Sequence, residues 1–164
     1  MSVRAAAERD IPQLLALIRR YWDFEGLAGF EALRIELLLK ELIGAQSPSA
    51  ATPPSGTVWV AESDGRLVGY LVAVTLWSLE HMGPMAEIDE MFVVPEARAR
   101  GVGQQLLTSL EQHLAARGCV RLQLQLGVSN TAARAFYRRL GFEPRAGYAL
   151  YDKPLSLLKP LKPG

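Results

Sequence analysis

Residues 87–104 concentrate side chains able to move a proton and backbone able to hold an anion. Three carboxylates come first, Glu87, Asp89 and Glu90, in a run over 87–94 that reads as a β-strand stopped by Pro95. Strict alternation puts Glu87, Asp89, Met91 and Val93 on one face and Ile88, Glu90, Phe92 and Val94 on the other. Glu87 and Asp89 then stand roughly 7 Å apart on one side, a spacing that suits passing a proton through water, and they rank above Glu90 as bases. Each carboxylate also has an ordinary alternative, pairing with an arginine or sitting at a solvated strand end.

The stretch that follows, Arg98-Ala99-Arg100-Gly101-Val102-Gly103-Gln104, leads from the strand into a helix starting at about Gly101. Val102, Leu106, Leu110 and Leu114 form its apolar stripe, and Gly118 stops it. A helix start exposes unpaired N–H groups at the positive end of the helix dipole, and glycines let a ligand approach the backbone. Gln104, Gln105 and Thr108 leave that end without a carboxylate until Glu111, while Arg98 and Arg100 add positive charge. Glycine spacing by itself fits an anion site and an ordinary crossover turn equally. Other phosphate and nucleophile motifs are excluded: Leu106 stands where a dinucleotide fingerprint needs its third glycine, and neither a P-loop nor a G-x-S-x-G elbow occurs.

Several elements must carry these residues. Asp10 is placed to cap a helix with apolar positions Ile11, Leu14, Leu15, Ile18, Tyr21 and Trp22. A second helix carries Ile35, Leu38, Leu39, Leu42 and Ile43, separated from the first by a break over 26–29. Residues 44–56, rich in Pro, Ser and Ala, read as a mobile surface loop. Residues 58–61 and 67–77 read as a hairpin turning through Asp64-Gly65. Alternation from Val120 to Leu126 predicts a strand, and Asn130 caps a helix bearing Ala133, Phe136, Tyr137 and Leu140 that closes at Gly141. Final strands are expected at 142–145 and 148–152, and the prolines after them end regular structure in a tail over 153–164. Hairpins first and strand-helix units later make a mixed α/β arrangement, a sheet flanked by helices, in a single domain over 1–164.

Composition narrows the rest. With 18 basic and 17 acidic side chains the net charge is +1, which gives no broad field for nucleic acid or an anionic membrane. The single cysteine, Cys119, excludes an intramolecular disulfide, and no Cys/His cluster suggests a metal. Residues 1–9 lack a signal-peptide apolar core and no window reaches about 18 apolar residues, the pattern of a cytoplasmic protein. His81 and His113 are assigned to surface or packing, and Cys119 to packing.

Taken together, Arg98-x-x-Gly101-x-Gly103, the preceding Ile88-Asp89-Glu90-Met91-Phe92-Val93-Val94-Pro95-Glu96 and the later Asn130-x-x-Ala133-x-x-Phe136-Tyr137-x-x-x-Gly141-Phe142 resemble the GCN5-related N-acetyltransferase (GNAT) family over about residues 3–152. The resemblance implies a central mixed, mostly antiparallel sheet flanked by about four helices and splayed at the cofactor-binding strand. It implies acetyl-CoA as acyl donor, with Met91, Phe92 and Val93 along its pantetheine arm and Arg98, Ala99, Arg100, Gly101, Val102, Gly103 and Gln104 around its pyrophosphate. Asn130 and Ala133 would lie near the pantetheine, and Tyr137 near the thioester sulfur. By periodicity alone Asn130 is a helix cap and Tyr137 belongs to a core stripe.

An amine with an ordinary pKa of about 10.4 must lose a proton before attack, at a population cost of about 4 kcal/mol at physiological pH. Glu87 or Asp89 suits that task, and the Tyr137 hydroxyl suits the departing thiolate. The implied activity is acetyl transfer to a primary amine, of a small molecule by preference, in a ternary complex without metal. Transfer to a protein amine and acyl-CoA binding without turnover are the alternatives. Aromatic and acidic residues, Tyr21, Trp22, Asp23, Phe24, Glu25, Phe30, Glu31 and Tyr148, are candidates for receiving the acceptor or for plain packing. The sequence leaves a homodimer open.

Overall fold

In the computed structural model, which describes residues 1–45 and 55–155, five strands form one sheet in chain order. They are β1 (Ser2–Ala5), β2 (Gly56–Ser63), β3 (Arg66–Ser78), β4 (Gly83–Val93) and β5 (Arg121–Leu124). β1 to β4 run antiparallel to their neighbours, and β5 joins β4 in parallel. The reversal follows from the connection, because a parallel partner needs a crossover and α3 (Val102–Ala116) supplies it. β2 turns into β3 through Asp64 and Gly65, with φ +52° and +74°, the left-handed pair of a tight hairpin turn. The expected mixed, mostly antiparallel sheet is present.

Directly opposed residues share a sheet face, so the ladder sorts the side chains. One face carries Val58, Val60, Tyr70, Val72 and Phe92, and against it lie α1 (Ile11–Glu25) and α2 (Ala32–Ala45). The other carries Trp59, Leu71 and Ala73 and receives α3, whose His113 packs edge-on against Trp59 with ring centroids 5.5 Å apart. Leu106, Leu107 and Leu110 of α3 are fully buried. Each contributes roughly 1.5–3 kcal/mol relative to exposure, enough to fix the helix on the sheet. The chain divides into two compact units, Met1–Gln125 and Leu126–Gly164, the second containing α4 (Thr131–Arg139).

The structure corrects several expected elements. Asp10 does not cap α1: it ends a short 3-10 turn in helical backbone, and its carboxylate accepts the Ala7 N–H and both terminal nitrogens of Arg4. Arg4, which also donates to Glu62, lies on β1, a four-residue strand too short to announce itself by periodicity. β4 begins four residues ahead of the expected 87, because Pro84 and Gly83 pair with Trp77 and Ser78 on β3. β5 is confined to Arg121–Leu124, shorter than the alternation over 120–126. The strands expected at 142–145 and 148–152 are irregular. Alternation supplies side-chain preference but a strand also needs a backbone partner, and Pro144 removes one donor. The expected loop over 44–56 lies, apart from its ends, outside the described residues.

Candidate active site

β4 changes character halfway along. Met85, Ala86, Glu87 and Ile88 pair with β3 on one side and β5 on the other, whereas no strand among the described residues takes the β5 side beyond Ile88. At this point the β3 ladder also breaks: Ala73 stands opposite Ile88 and Val72 opposite Glu90, leaving Asp89 as an extra residue. This β-bulge bends the strand and frees its outer edge over Met91, Phe92 and Val93. It also overturns the alternation expected from sequence. Glu87, Glu90 and Phe92 now share the α1 face, opposed to Val74, Val72 and Tyr70, while Met91 and Val93 share the α3 face.

The three carboxylates consequently have different surroundings. Glu87 stands opposite Gln123 on β5 and accepts from its Nε2 at 2.6 Å and from Gln125 Nε2 at 2.8 Å. Glu90 accepts from the Tyr70 hydroxyl at 2.8 Å and Trp22 Nε1 at 3.1 Å. Burial is the largest influence on Glu90 and, with the Asp89 charge, raises its pKa against the lowering by these two donors. Asp89, the bulged residue, is exposed, and no side-chain hydrogen bond or ion pair is found for it among the described residues. Its pKa is raised, first by loss of surrounding water and then by the Glu87 charge. A carboxylate that holds no partner and binds its proton more tightly than usual can take up a proton from a reacting group.

The Trp22–Glu90–Tyr70 set is the part of the site that sequence spacing missed. Tyr70 is fully buried in β3, and Tyr21 and Tyr70 flank Phe92 at ring-centroid distances of 6.1 and 6.4 Å. Burial first, then Glu90, Glu25 and Asp89, pushes the Tyr21 hydroxyl up to about 12, so these carboxylates gather negative potential around it. A lone tyrosine in the otherwise apolar run Leu67-Val68-Gly69-Tyr70-Leu71-Val72 was the available signal, since a buried hydroxyl needs a partner. Other candidates for the acceptor have local partners: Asp23 pairs with Arg19, Glu31 with Arg34, and Phe30 lies edge-on to Trp22.

After β4 the chain makes a 3-10 turn, Pro95–Ala97, and enters α3 through two left-handed residues, Ala99 at φ +59° and Gly101 at φ +78°. Glycine adopts that conformation freely, but for alanine it costs about 1–2 kcal/mol, a strain found where backbone amides must be aimed. No side chain caps α3, and its first turn contains no acid. The first bond of the helix is Gln105 N–H to Gly101 C=O, at 3.0 Å. The amides of Val102, Gly103 and Gln104 therefore have no acceptor within the helix and form a donor set for an anion. Arg100 is exposed, with no side-chain partner found among the described residues. Arg98 instead folds back, its Nε donating to Val93 O at 2.9 Å.

In the second unit, Asn130 caps α4 by accepting the Ala133 N–H at 3.1 Å, and Ala133 is half-buried. Tyr137 is buried, edge-on to Phe136 at 5.1 Å and to Phe142 at 5.4 Å. Among the described residues no three His, Cys, Asp or Glu side chains gather as a metal group, and no helix is long and apolar enough to cross a membrane.

Known proteins match this architecture. The model of the acetyltransferase (GNAT) family matches residues 13–142. An uncharacterized N-acetyltransferase of Bacillus subtilis, YhfO, is 26% identical over 153 residues, covering 92% of this chain and 95% of that protein. An uncharacterized N-acetyltransferase of Methanocaldococcus jannaschii, MJ1207, is 38% identical over 88 residues, which span 53% of this chain but only 39% of that protein. Among solved structures, the aminoglycoside N-acetyltransferase AAC(6')-Iy in complex with the bisubstrate analog CoA-S-monomethyl-acetylneamine shares the fold at a TM-score of 0.75 and 20% identity, covering 94% of this chain and 98% of that one. Since the family match runs from α1 through the bulged strand and the α3 turn to the end of α4, the chain belongs to the acetyltransferase (GNAT) family and is an acetyltransferase.

Proposed function

We propose that this enzyme transfers the acetyl group of acetyl-CoA to a primary amine of a small molecule, by direct attack in a ternary complex. One observation carries the reading: the bulge at Asp89 separates the paired half of β4 from a free strand edge that leads straight into the uncapped amides at the start of α3. The edge over Met91, Phe92 and Val93 suits an extended chain with amide groups, as a pantetheine arm has, and the turn from Arg98 to Gln104 suits a pyrophosphate. The complex of AAC(6')-Iy with a CoA-linked analog supports the same cosubstrate class, and its acetylneamine part supports a small amine. The negative potential that Glu25, Asp89 and Glu90 create around Tyr21 favours an acceptor that arrives as a cation.

Acetyl-CoA brings the acetyl group activated as a thioester. Asp89 takes the proton of the acceptor ammonium through water, and its raised pKa makes it a better base than an ordinary aspartate. Glu87, held by its two glutamines, strengthens that basicity by its charge. As the new C–N bond forms and the C–S bond breaks, Tyr137 gives its hydroxyl proton to the departing sulfur, and the second proton shed by the new amide nitrogen passes through solvent to restore the tyrosine hydroxyl. That role for Tyr137, and those of Asn130 and Ala133 beside the cofactor, rest on the family resemblance.

Calorimetry with acetyl-CoA, paired with a thiol-release assay over aminoglycosides, polyamines and lysine peptides, tests the proposal. Saturable binding and release with a small amine are expected; release only with peptides would move the acceptor to proteins, and binding without release would reject transfer. Tyr137→Phe lowers turnover more than acetyl-CoA affinity if the hydroxyl protonates the sulfur, whereas unchanged turnover with chemistry limiting rejects the role.

A further inference from the structure

We propose that Arg98 is a positioning residue, a strut that sets the shape of the α3 entry turn from α1 and β4, and that its guanidinium is not an anion ligand. The inference rests on the reading that this turn takes the pyrophosphate of acetyl-CoA. Arg98 Nε donates to Val93 O, the last carbonyl of β4, at 2.9 Å. Its guanidinium carbon lies 5.1 Å from the Phe24 ring centre on α1 and 5.7 Å from that of Phe92 on β4. The side chain is thus committed backward, toward the strand it follows, while the residue after it, Ala99, takes the left-handed backbone that begins the turn. Nearby, Arg20 of α1 pairs with Glu96, a second tie between α1 and the same segment.

The planar fork explains the residue type. Its delocalised, weakly hydrated charge donates to the carbonyl while its carbon lies over two rings, and a compact, strongly hydrated ammonium must give up more water to hold both contacts. Positive charge for the anion is left to Arg100, exposed and with no partner found. Phe24, 62% exposed despite its size, has a use in this arrangement as the platform under Arg98.

The test uses calorimetry and steady-state kinetics on the whole chain, with acetyl-CoA as probe, across a range of salt. Losing the strut removes a charge-assisted hydrogen bond and ring contacts, so Arg98→Ala weakens acetyl-CoA binding by about tenfold. The dependence of affinity on salt stays that of the wild type, because no charge contact to the ligand is lost. Arg98→Lys, which keeps the charge, recovers little, and Phe24→Ala reproduces part of the loss with no further loss when combined with Arg98→Ala. KM for acetyl-CoA rises while kcat at saturation holds, and Arg100→Gln, unlike Arg98→Ala, flattens the salt dependence. The strut is overturned if Arg98→Ala flattens it, if Arg98→Lys restores binding, or if Phe24→Ala binds like the wild type. Failure of the wild type to bind acetyl-CoA would reject the underlying reading of the turn instead.

Discussion

Both halves of β4 combine apolar side chains with carboxylates, yet their backbones and their acids are held in opposite ways. In the half from Gly83 to Ile88 the backbone is paired on both sides and the acid, Glu87, is held by two glutamines. In the half from Asp89 to Val93 one side of the backbone has no strand partner among the described residues, and its first residue is an exposed acid with a raised pKa. One inserted residue makes the difference. The bulge detaches the strand from β5, and the exposed edge and partnerless carboxylate that would be liabilities elsewhere are, in the proposed mechanism, the features a cosubstrate and an ammonium need.

Breaking that contrast has its largest effect at Asp89 itself. Deleting Asp89 closes the β3 ladder without turning any side chain to the wrong face, since Ile88 already opposes Ala73 and Glu90 already opposes Val72. The deletion variant is therefore expected to fold while losing both the base and the bend, and Asp89→Asn to lose the base alone. Removing a positioned general base lowers turnover by about 100- to 10,000-fold, and the deletion adds a loss of acetyl-CoA affinity that Asp89→Asn does not show. Thiol-release kinetics and calorimetry on both variants check this. Full turnover by Asp89→Asn would remove Asp89 from the mechanism, and normal affinity in the deletion would remove the bulge from cosubstrate binding.

A smaller effect tests the structural half. Glu87→Ala leaves two glutamine amides without their shared acceptor, at a stability cost of about 1–2 kcal/mol, and changes turnover by less than about threefold. Glu87 raises the proton affinity of Asp89, so its removal lets Asp89 ionise at lower pH. The acid limb of the pH profile for kcat/KM moves to lower pH in Glu87→Ala. A limb that stays in place would mean Asp89 is not the group being titrated.

These contrasts were only partly legible in the sequence. The hairpin, both early helices, α3 and the capped α4 follow from local signals, namely Asp64-Gly65, apolar spacing of three and four, and Asn130 ahead of its helix. The donor-rich turn was legible as well, because glycine spacing and missing acids are properties of a short segment. The bulge was not: it is a relation between β3 and β4, and no residue type at Asp89 requires it. With the register hidden, Glu90 fell on the wrong side, and its partners Trp22 and Tyr70, 68 and 20 positions away, were out of reach of any spacing rule. The strands expected at 142–145 and 148–152 failed for a related reason, since alternation gives side-chain preference alone and no strand among the described residues pairs with them.

The smallest expected effect concerns stability, and it separates a functional carboxylate from a structural one by sign. The folded chain raises the Asp89 pKa above its ordinary 3.8, so folding favours the protonated form. Any stability Asp89 contributes is present below that ordinary value and is lost as pH rises through the raised one. Asp10 behaves oppositely, since Arg4 holds its pKa down and its contribution is lost as pH falls. At neutral pH an ionised Asp89 is thus a standing cost to the fold, and Asp89→Asn relieves it. The gain stays below about 1 kcal/mol because the side chain reaches solvent and its charge is screened. Denaturant unfolding of wild type and Asp89→Asn at a series of pH values should show the variant ahead at pH 7 and the two converging in acid. A variant less stable than the wild type at pH 7 would mean that Asp89 supports the bulge through its charge, and the case for a carboxylate kept there for chemistry would fall.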